Sequence, residues 1–270
     1  MTSTRVRAVE GDQSRDRPDK VVTEEPMEIR VHGPGQPTEP LVVTMRTPGN
    51  DFELAAGFCV TERIVDQAAG IAAVSYCVEG AAEQRFNVVT VDLRRPLDRA
   101  RIRDRSFASN ASCGLCGATT LEQVEIECAP VGPGPVVGRS VLVGLPDQLR
   151  DAQAVFDATG GLHAAATFDV HGRLLALRED VGRHNALDKL IGHAVLAGDL
   201  PLSDRILLVS GRVSFEIVQK AAVAGIPVLC AVSAPSSLAV QAADRLGQTV
   251  VGFLRGDRFN VYTHPERIDA

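Results

Sequence analysis

ILLVSGRVSFEIVQKAAVAGIPVLCAVSAPSSLAVQAADRLGQTVVGFL, residues 206–254, is the stretch on which the fold turns. Its apolar runs at 206–209, 228–232 and 250–254 are short and almost free of polar side chains, the pattern of strands covered on both faces. Between them, 213–224 and 236–246 repeat apolar residues at helical spacing. Strand, helix, strand, helix, strand in that order predicts a parallel sheet joined by right-handed crossovers. A helix expected over 185–196 leads into the first of these strands. The core is therefore read as an α/β layered sandwich with a mostly parallel sheet.

Upstream the pattern changes. Leu149, Ala152, Val155 and Phe156 predict a helix over 147–159, ended by Gly160 and Gly161, and His171-Gly172 reads as a hairpin turn between strands at 167–170 and 174–178. Further back, strands are expected at 28–32 and 41–46, joined by the turn-rich GPGQPTEP, and again at 72–77 and 86–93. Asn50 followed by Glu53 resembles a capping box opening a helix over 51–63, with Leu54, Ala55 and Phe58 on its buried face. Residues 1–20 mix both charge signs and offer little to bury, so a disordered tail is expected there. The organisation is thus a tail (1–20), a small N-terminal β-rich part (21–135) and an α/β domain (136–270).

A chain of 270 residues can bury a full core without metal or disulfide staples. Tryptophan is absent and aromatics reach 4%, so alanine, valine, leucine and glycine must do the packing. The formal charge of -6 argues against nucleic acid or an anionic membrane surface as main partner, because both need a dense basic footprint. No stretch reads as a signal peptide or a membrane span, which gives a cytoplasmic expectation. In a reducing compartment the six cysteines are not expected to form a disulfide framework. Cys59, Cys77 and Cys230 lie in apolar segments and read as small buried hydrophobes.

Cys113 and Cys116 differ. Ser112-Cys113-Gly114-Leu115-Cys116-Gly117 places two thiols three positions apart, each followed by a glycine. That spacing supports dithiol exchange, half of a zinc site, or carriage of a persulfide on one cysteine with the other assisting. Zinc needs four ligands, or three and water, and no second Cys-x-x-Cys or His-x-Glu partner is present, so no structural metal is expected.

Three further clusters suit an anionic ligand. Arg183 and His184 lie in Glu179-Asp180-Val181-Gly182-Arg183-His184-Asn185, where a glycine loop opens a helix whose free N–H groups favour anions and whose histidine titrates near neutrality; a solvated capping segment is the plain alternative. Ser210-Gly211-Arg212 and Ser233-Ala234-Pro235-Ser236-Ser237 both fall where a parallel strand gives way to a helix, the edge at which open α/β sheets bind ligands, although N-capping explains the serines equally. Phe253-Leu254-Arg255-Gly256-Asp257-Arg258 follows the last strand, as a hairpin turn or as a site where arginine forks meet phosphate and an acid meets guanine.

Taken together, these segments resemble the formate dehydrogenase accessory sulfurtransferase family (FdhD) over roughly 28–268. The likeness rests on GNDFELAAGF (49–58), SCGLCG (112–117), EDVGRHNALDKLIG (179–192), SGRVSFEIVQKA (210–221), AVSAPSSLAV (231–240) and VGFLRGDRFNVYTHPERI (251–268). The resemblance implies a cytidine-deaminase-like fold, homodimers, and a sulfurtransferase that takes persulfide sulfur from a cysteine desulfurase. It implies delivery to the molybdenum of a bis(molybdopterin guanine dinucleotide) cofactor, bound as substrate and mimicked by GDP-like nucleotides, before insertion into formate dehydrogenase. Cys113 matches the persulfide-bearing cysteine, Cys116 the assisting thiol, and Phe253 to Arg258 the cofactor-binding stretch. Ala118-Thr119 stand where many relatives carry a lysine. Two other readings are a zinc-dependent deaminase-like enzyme, opposed by the missing ligand signatures, and a non-catalytic chaperone of the molybdenum cofactor.

Overall fold

A computed structural model describes residues 1–77, 86–100 and 128–269. Cys113 and Cys116, and the rest of 101–127, lie outside the described residues.

Two sheets sandwich a layer of helices. The small sheet contains β3 (Glu25–His32), β4 (Glu39–Arg46), β5 (Ile71–Tyr76) and β6 (Val88–Leu93), in the order β4-β3-β6-β5. The large one contains β8 (His163–Phe168), β9 (Leu174–Asp180), β10 (Ile206–Val209), β11 (Val228–Ala231), β12 (Thr249–Arg255) and β13 (Arg258–Thr263), in the order β13-β12-β11-β10-β8-β9. Parallel pairing in this sheet is confined to β10, β11 and β12; β8 and β13 flank them antiparallel, and β9, antiparallel to β8, runs in the direction of the central strands, so the pairing is mixed. The expected α/β layering holds. The antiparallel flanks follow from the hairpins at His171-Gly172 and Gly256-Asp257, which a crossover rule does not govern.

Alternation along each strand decides what lies on either face. Ala165, Leu207, Val209, Leu229, Ala231 and Val250 face a core shared with α1 (Asp51–Thr61), α4 (Arg183–Ala197), α5 (Phe215–Val223) and α6 (Ser237–Arg245). That same core takes in Met27, Ile29, Val89 and Val91 of the small sheet, so the 135/136 boundary does not divide it. On the opposite face Ala164, Ala166, Phe168, Leu208, Cys230 and Val251 pack against Leu142, Leu145 and Leu149 of α2 (Arg139–Ala152), which is followed by α3 (Ala154–Thr159). A two-residue pairing of β7 (Val137–Gly138) with β14 (Ile268–Asp269) ties the chain end to the start of α2. Among the described residues no helix is long and apolar enough to cross a membrane.

Several expectations need correction. Residues 1–20 are not a disordered tail: β1 (Thr2–Glu10) and β2 (Gln13–Val21) form an antiparallel hairpin turned at Gly11, whose φ is 58°. It is mostly exposed, and its cross-strand pair Arg7–Asp16 at 2.9 Å uses the mixed charges that had suggested disorder. The helix expected from 147 begins at Arg139, with Pro146 inside it, because the Leu142, Leu145, Leu149 stripe is buried on the sheet and holds the turns ahead of the proline. The capping box does not form. Asn50 is left-handed with no side-chain cap, and Glu53 instead pairs with Arg178 and His193. Cys59 and Cys230 are buried as expected, whereas Cys77 is partly exposed at the end of β5.

Candidate functional site

Antiparallel flanks bring more to the carboxyl edge of the central strands than crossovers alone deliver. Because β8 runs against β10, its first residue, His163, stands at the edge where β10 ends, and Asp180, the last of β9, lies opposite His163. Arg183 and His184, opening α4, are therefore neighbours of Ser210-Gly211-Arg212. A Cβ on Gly211 would meet the His163 ring at 3.3 Å, which shows how closely loop and ring approach.

The loops along this edge are fixed to one another. Ser210 Oγ accepts from the Ala164 N–H at 2.9 Å, and Val213 N–H donates to Ala234 O at 3.2 Å while Ser236 N–H donates to Val213 O at 3.0 Å. Ser236 also caps α6, accepting from Ala239 N–H at 3.2 Å, so the plain reading of that serine is correct. Arg212 is exposed.

Beyond β11, the strand β12 is irregular. Phe253 has φ 54°, a conformation that costs a bulky side chain free energy, and its N–H donates to Ser233 O at 3.1 Å. Gly252 makes the kink possible, since a Cβ there would lie 2.9 Å from both Pro235 and the Tyr262 ring. The outcome is a bulge that leaves Phe253 and the turn Arg255–Arg258 exposed at the edge, a common device for aiming side chains beside functional sites. Arg255 Nε is tied to Val232 O at 3.0 Å, and Arg139 at the start of α2 donates to Asp257 O at 2.8 Å. Leu254 is different: it is fully buried in the core under α2 and packs rather than binds.

Most of the polar residues around Arg183 prove to be structural. Asp180, fully buried, pairs with Lys189 at 2.7 Å and accepts from Thr47 N–H, Gly182 N–H and Asn185 Nδ2. Asp188 pairs with Lys220 at 2.9 Å. What remains toward the edge is Arg183, His184, His163 and Glu216, lining a cavity of about 350 Å³ between the two sheets. His163 and Glu216 carry no sequence signal of their own; the antiparallel return of β8 and the first turn of α5 put them there. A larger cavity of about 510 Å³ lies by Asp66, Arg94, Arg95 and Asp98, away from every residue singled out by sequence.

His184 does not titrate near neutrality. Burial, with Lys220, Arg183 and His163 nearby, pushes its imidazole down to about 3. Its approach to Glu216 at 3.9 Å is therefore a contact of a neutral ring rather than an ion pair, and Nε2 shares a hydrogen bond with Ser214 Oγ at 3.3 Å. His163 is lowered too, by burial first and then by Arg183 and Arg212. Both imidazoles are neutral hydrogen-bonding groups at physiological pH.

With the folded value of His184 below the 6.5 of the free group, the unfolded chain binds the extra proton, so this contribution is complete above 6.5 and is lost as pH falls toward 3. Chemical denaturation is expected to show about 2 kcal/mol less stability at about pH 5 than at neutrality from this residue. His184→Gln should flatten that slope, and an unchanged slope would contradict the assignment.

The family model of the FdhD/NarQ family matches residues 22–269. The sulfur carrier protein FdhD of Mycobacterium tuberculosis (strain ATCC 25618 / H37Rv) is 51% identical over 272 residues, covering 98% of this chain and 97% of the relative. That of Streptomyces coelicolor is 50% identical over 261 residues, covering 93% and 90%, and that of Sulfurisphaera tokodaii 45% identical over 251 residues, covering 93% and 92%. A crystal structure of a chain described as a formate dehydrogenase accessory protein from Desulfotalea psychrophila superposes with a TM-score of 0.76 over 99% of each chain. At 23% identity that likeness speaks for the fold.

Proposed function

We propose, from the premise that this chain belongs to the FdhD/NarQ family, that it carries sulfur for formate dehydrogenase on Cys113. The observation that carries the reading is identity at about half of all positions, over nearly the whole length, with proteins named sulfur carriers. SCGLCG at 112–117 supplies the thiols that such a role needs.

The donor is a cysteine desulfurase bearing a persulfide. The Cys113 thiolate attacks its terminal sulfur, a new S–S bond forms, and the donor's own cysteine leaves as thiolate. Cys113 then holds the sulfur as a persulfide and passes it to molybdenum in bis(molybdopterin guanine dinucleotide), the substrate, before that cofactor enters formate dehydrogenase. Cys116 assists. Its attack on the inner sulfur of Cys113 releases sulfide and leaves a Cys113–Cys116 disulfide, which balances the two electrons.

The chain's part in holding the substrate falls to the sheet edge. Arg183, Arg212 and Arg258 offer positive charge, Ser210 and Gly211 a close backbone, His184 a neutral hydrogen-bonding ring, and the turn through Phe253, Arg255, Gly256 and Asp257 an exposed guanine- or phosphate-sized contact. GDP is expected to bind at that turn as a mimic of the guanine end. A homodimer working in the cytoplasm is part of the same reading.

Intact mass after incubation with desulfurase and cysteine tests it. Wild type is expected to gain the mass of one sulfur atom and Cys113→Ala to gain none; an equal gain in the variant ends the assignment. If a Cys113→Ala/Cys116→Ala chain still supports formate dehydrogenase activity in a strain lacking the protein, the escort reading replaces the carrier one.

A further inference from the structure

Among the described residues, two polar groups lining one cavity have no hydrogen-bond partner in it. The cavity of about 350 Å³ takes an apolar wall from Val43, Leu54 and Phe58 and a polar end from His163, Arg183 and Glu216. Nε of Arg183 is buried without a hydrogen-bond partner. Among the described residues its guanidinium makes no ion pair, and Glu216 reaches only the neutral His184, at 3.9 Å. Asp188 and Lys220 also reach the lining, but they are paired with each other. A buried donor left unbonded forfeits its hydration with nothing in return, so an orphan of this kind points to a missing partner.

The complement of such a pocket is a flat body with an N–H pair at one edge for the carboxylate and an anionic substituent for the guanidinium. Resting on the carrier reading, its pterin nucleotide substrate and the guanine contact that reading gives to the turn at Phe253 to Arg258, we infer that this pocket takes the pterin end of that substrate. A 2-amino-4-oxopyrimidine edge offers two adjacent N–H donors to Glu216, and Arg183 meets the neighbouring anion in fork geometry. Size agrees, because 350 Å³ is at the low end for ligand sites and holds one bicyclic ring with its substituent, not a dinucleotide. Spacing agrees as well. From β8, which bears His163, to β12 are three strand intervals, roughly 14 Å, a separation that one ring cannot bridge and a dinucleotide can. The guanine ring shares the same edge chemistry, so the test must separate the two ends.

Full-length protein is titrated with 6-carboxypterin, followed by fluorescence anisotropy, and separately with GDP. Glu216→Gln and Arg183→Met are each expected to weaken 6-carboxypterin about tenfold or more and leave GDP unchanged, as loss of one charged hydrogen bond implies. Arg258→Ala should do the reverse. Val43→Arg, on an exposed position of the edge strand β4, fills the pocket mouth without touching the core and should abolish pterin binding even if a charge variant fails to fold. The assignment is overturned if GDP displaces the pterin, if the pocket variants bind it as wild type does, or if wild type binds GDP and no pterin. Failure of wild type to bind either ligand overturns the nucleotide-substrate reading along with it.

Discussion

Gly57→Ala and Gly192→Ala are each expected to yield protein that is largely unfolded or that melts far below wild type. Glycine to alanine inside a helix ordinarily stabilises by up to about 1 kcal/mol. Here the sign reverses. A Cβ on Gly57 would stand 1.8 Å from Asp188 O, and one on Gly192 would stand 1.7 Å from Glu53 O. The offending atoms are backbone carbonyls of the facing helix, so no rotamer change relieves the overlap. α1 and α4 must separate, and with them the Arg178–Glu53 pair at 2.5 Å and the Asp188–Lys220 pair that the crossing positions. A loss above about 4 kcal/mol is expected, against a total stability of about 5–15 kcal/mol for a typical domain. Gly144→Ala in α2 is the control: a Cβ there meets nothing within 4 Å, and that variant should be neutral or slightly stabilised. Thermal melts of the three proteins decide the matter. Equal melting temperatures would show that the helices cross less closely than described.

Asp188→Ala is expected to cost about 3–5 kcal/mol, because it takes from a buried cation its buried counter-ion and leaves only the less buried Glu62. Lys220 is 4% exposed and Asp188 2%. Lys220 Nζ reaches both Asp188 oxygens at 3.0 and 2.9 Å, Thr61 Oγ1 at 2.9 Å and Glu62 at 2.8 Å, while the Thr61 hydroxyl donates to Asp188 at 2.7 Å. Burial first, with Glu62 adding to it, holds the Asp188 carboxyl above the ordinary carboxylate range, although Lys220 and Thr61 oppose the shift. Lys220, facing two carboxylates, is held above the ordinary lysine range, so the pair is charged at neutral pH. Lys220→Met should cost a similar amount by stranding Asp188. The double variant Asp188→Ala/Lys220→Met removes both charges and should cost clearly less than the sum, with a coupling of about 2 kcal/mol or more in denaturant titrations. Simple additivity would mean the two groups do not depend on each other for their burial.

These two networks mark where sequence reading stops. The motif at 179–192 is rich in charge, and charge there suggests ligand chemistry. In the folded chain Asp180, Asn185, Asp188 and Lys189 turn inward and hold α4 against the N-terminal part, leaving Arg183 and His184 for the edge. No local pattern separates the two groups, since Asp188 lies 127 residues from Thr61 and 32 from Lys220. His184 shows the same limit: its type suggests titration near neutrality, and only its burial, with the cations Lys220 and Arg183 nearby, sets it neutral.

From sequence alone came the strand–helix alternation of 206–254, the small N-terminal sheet, and the placing of Ser210 to Arg212 and Ser233 to Ser237 along one edge, because periodicity and strand direction are local and additive. The tertiary structure decided which helix crosses which, that β8 returns antiparallel to add His163, and that Glu216 and Arg183 line one cavity. Those facts depend on pairings between segments tens to over a hundred residues apart, and a hydrophobic face records that it is buried without recording against what.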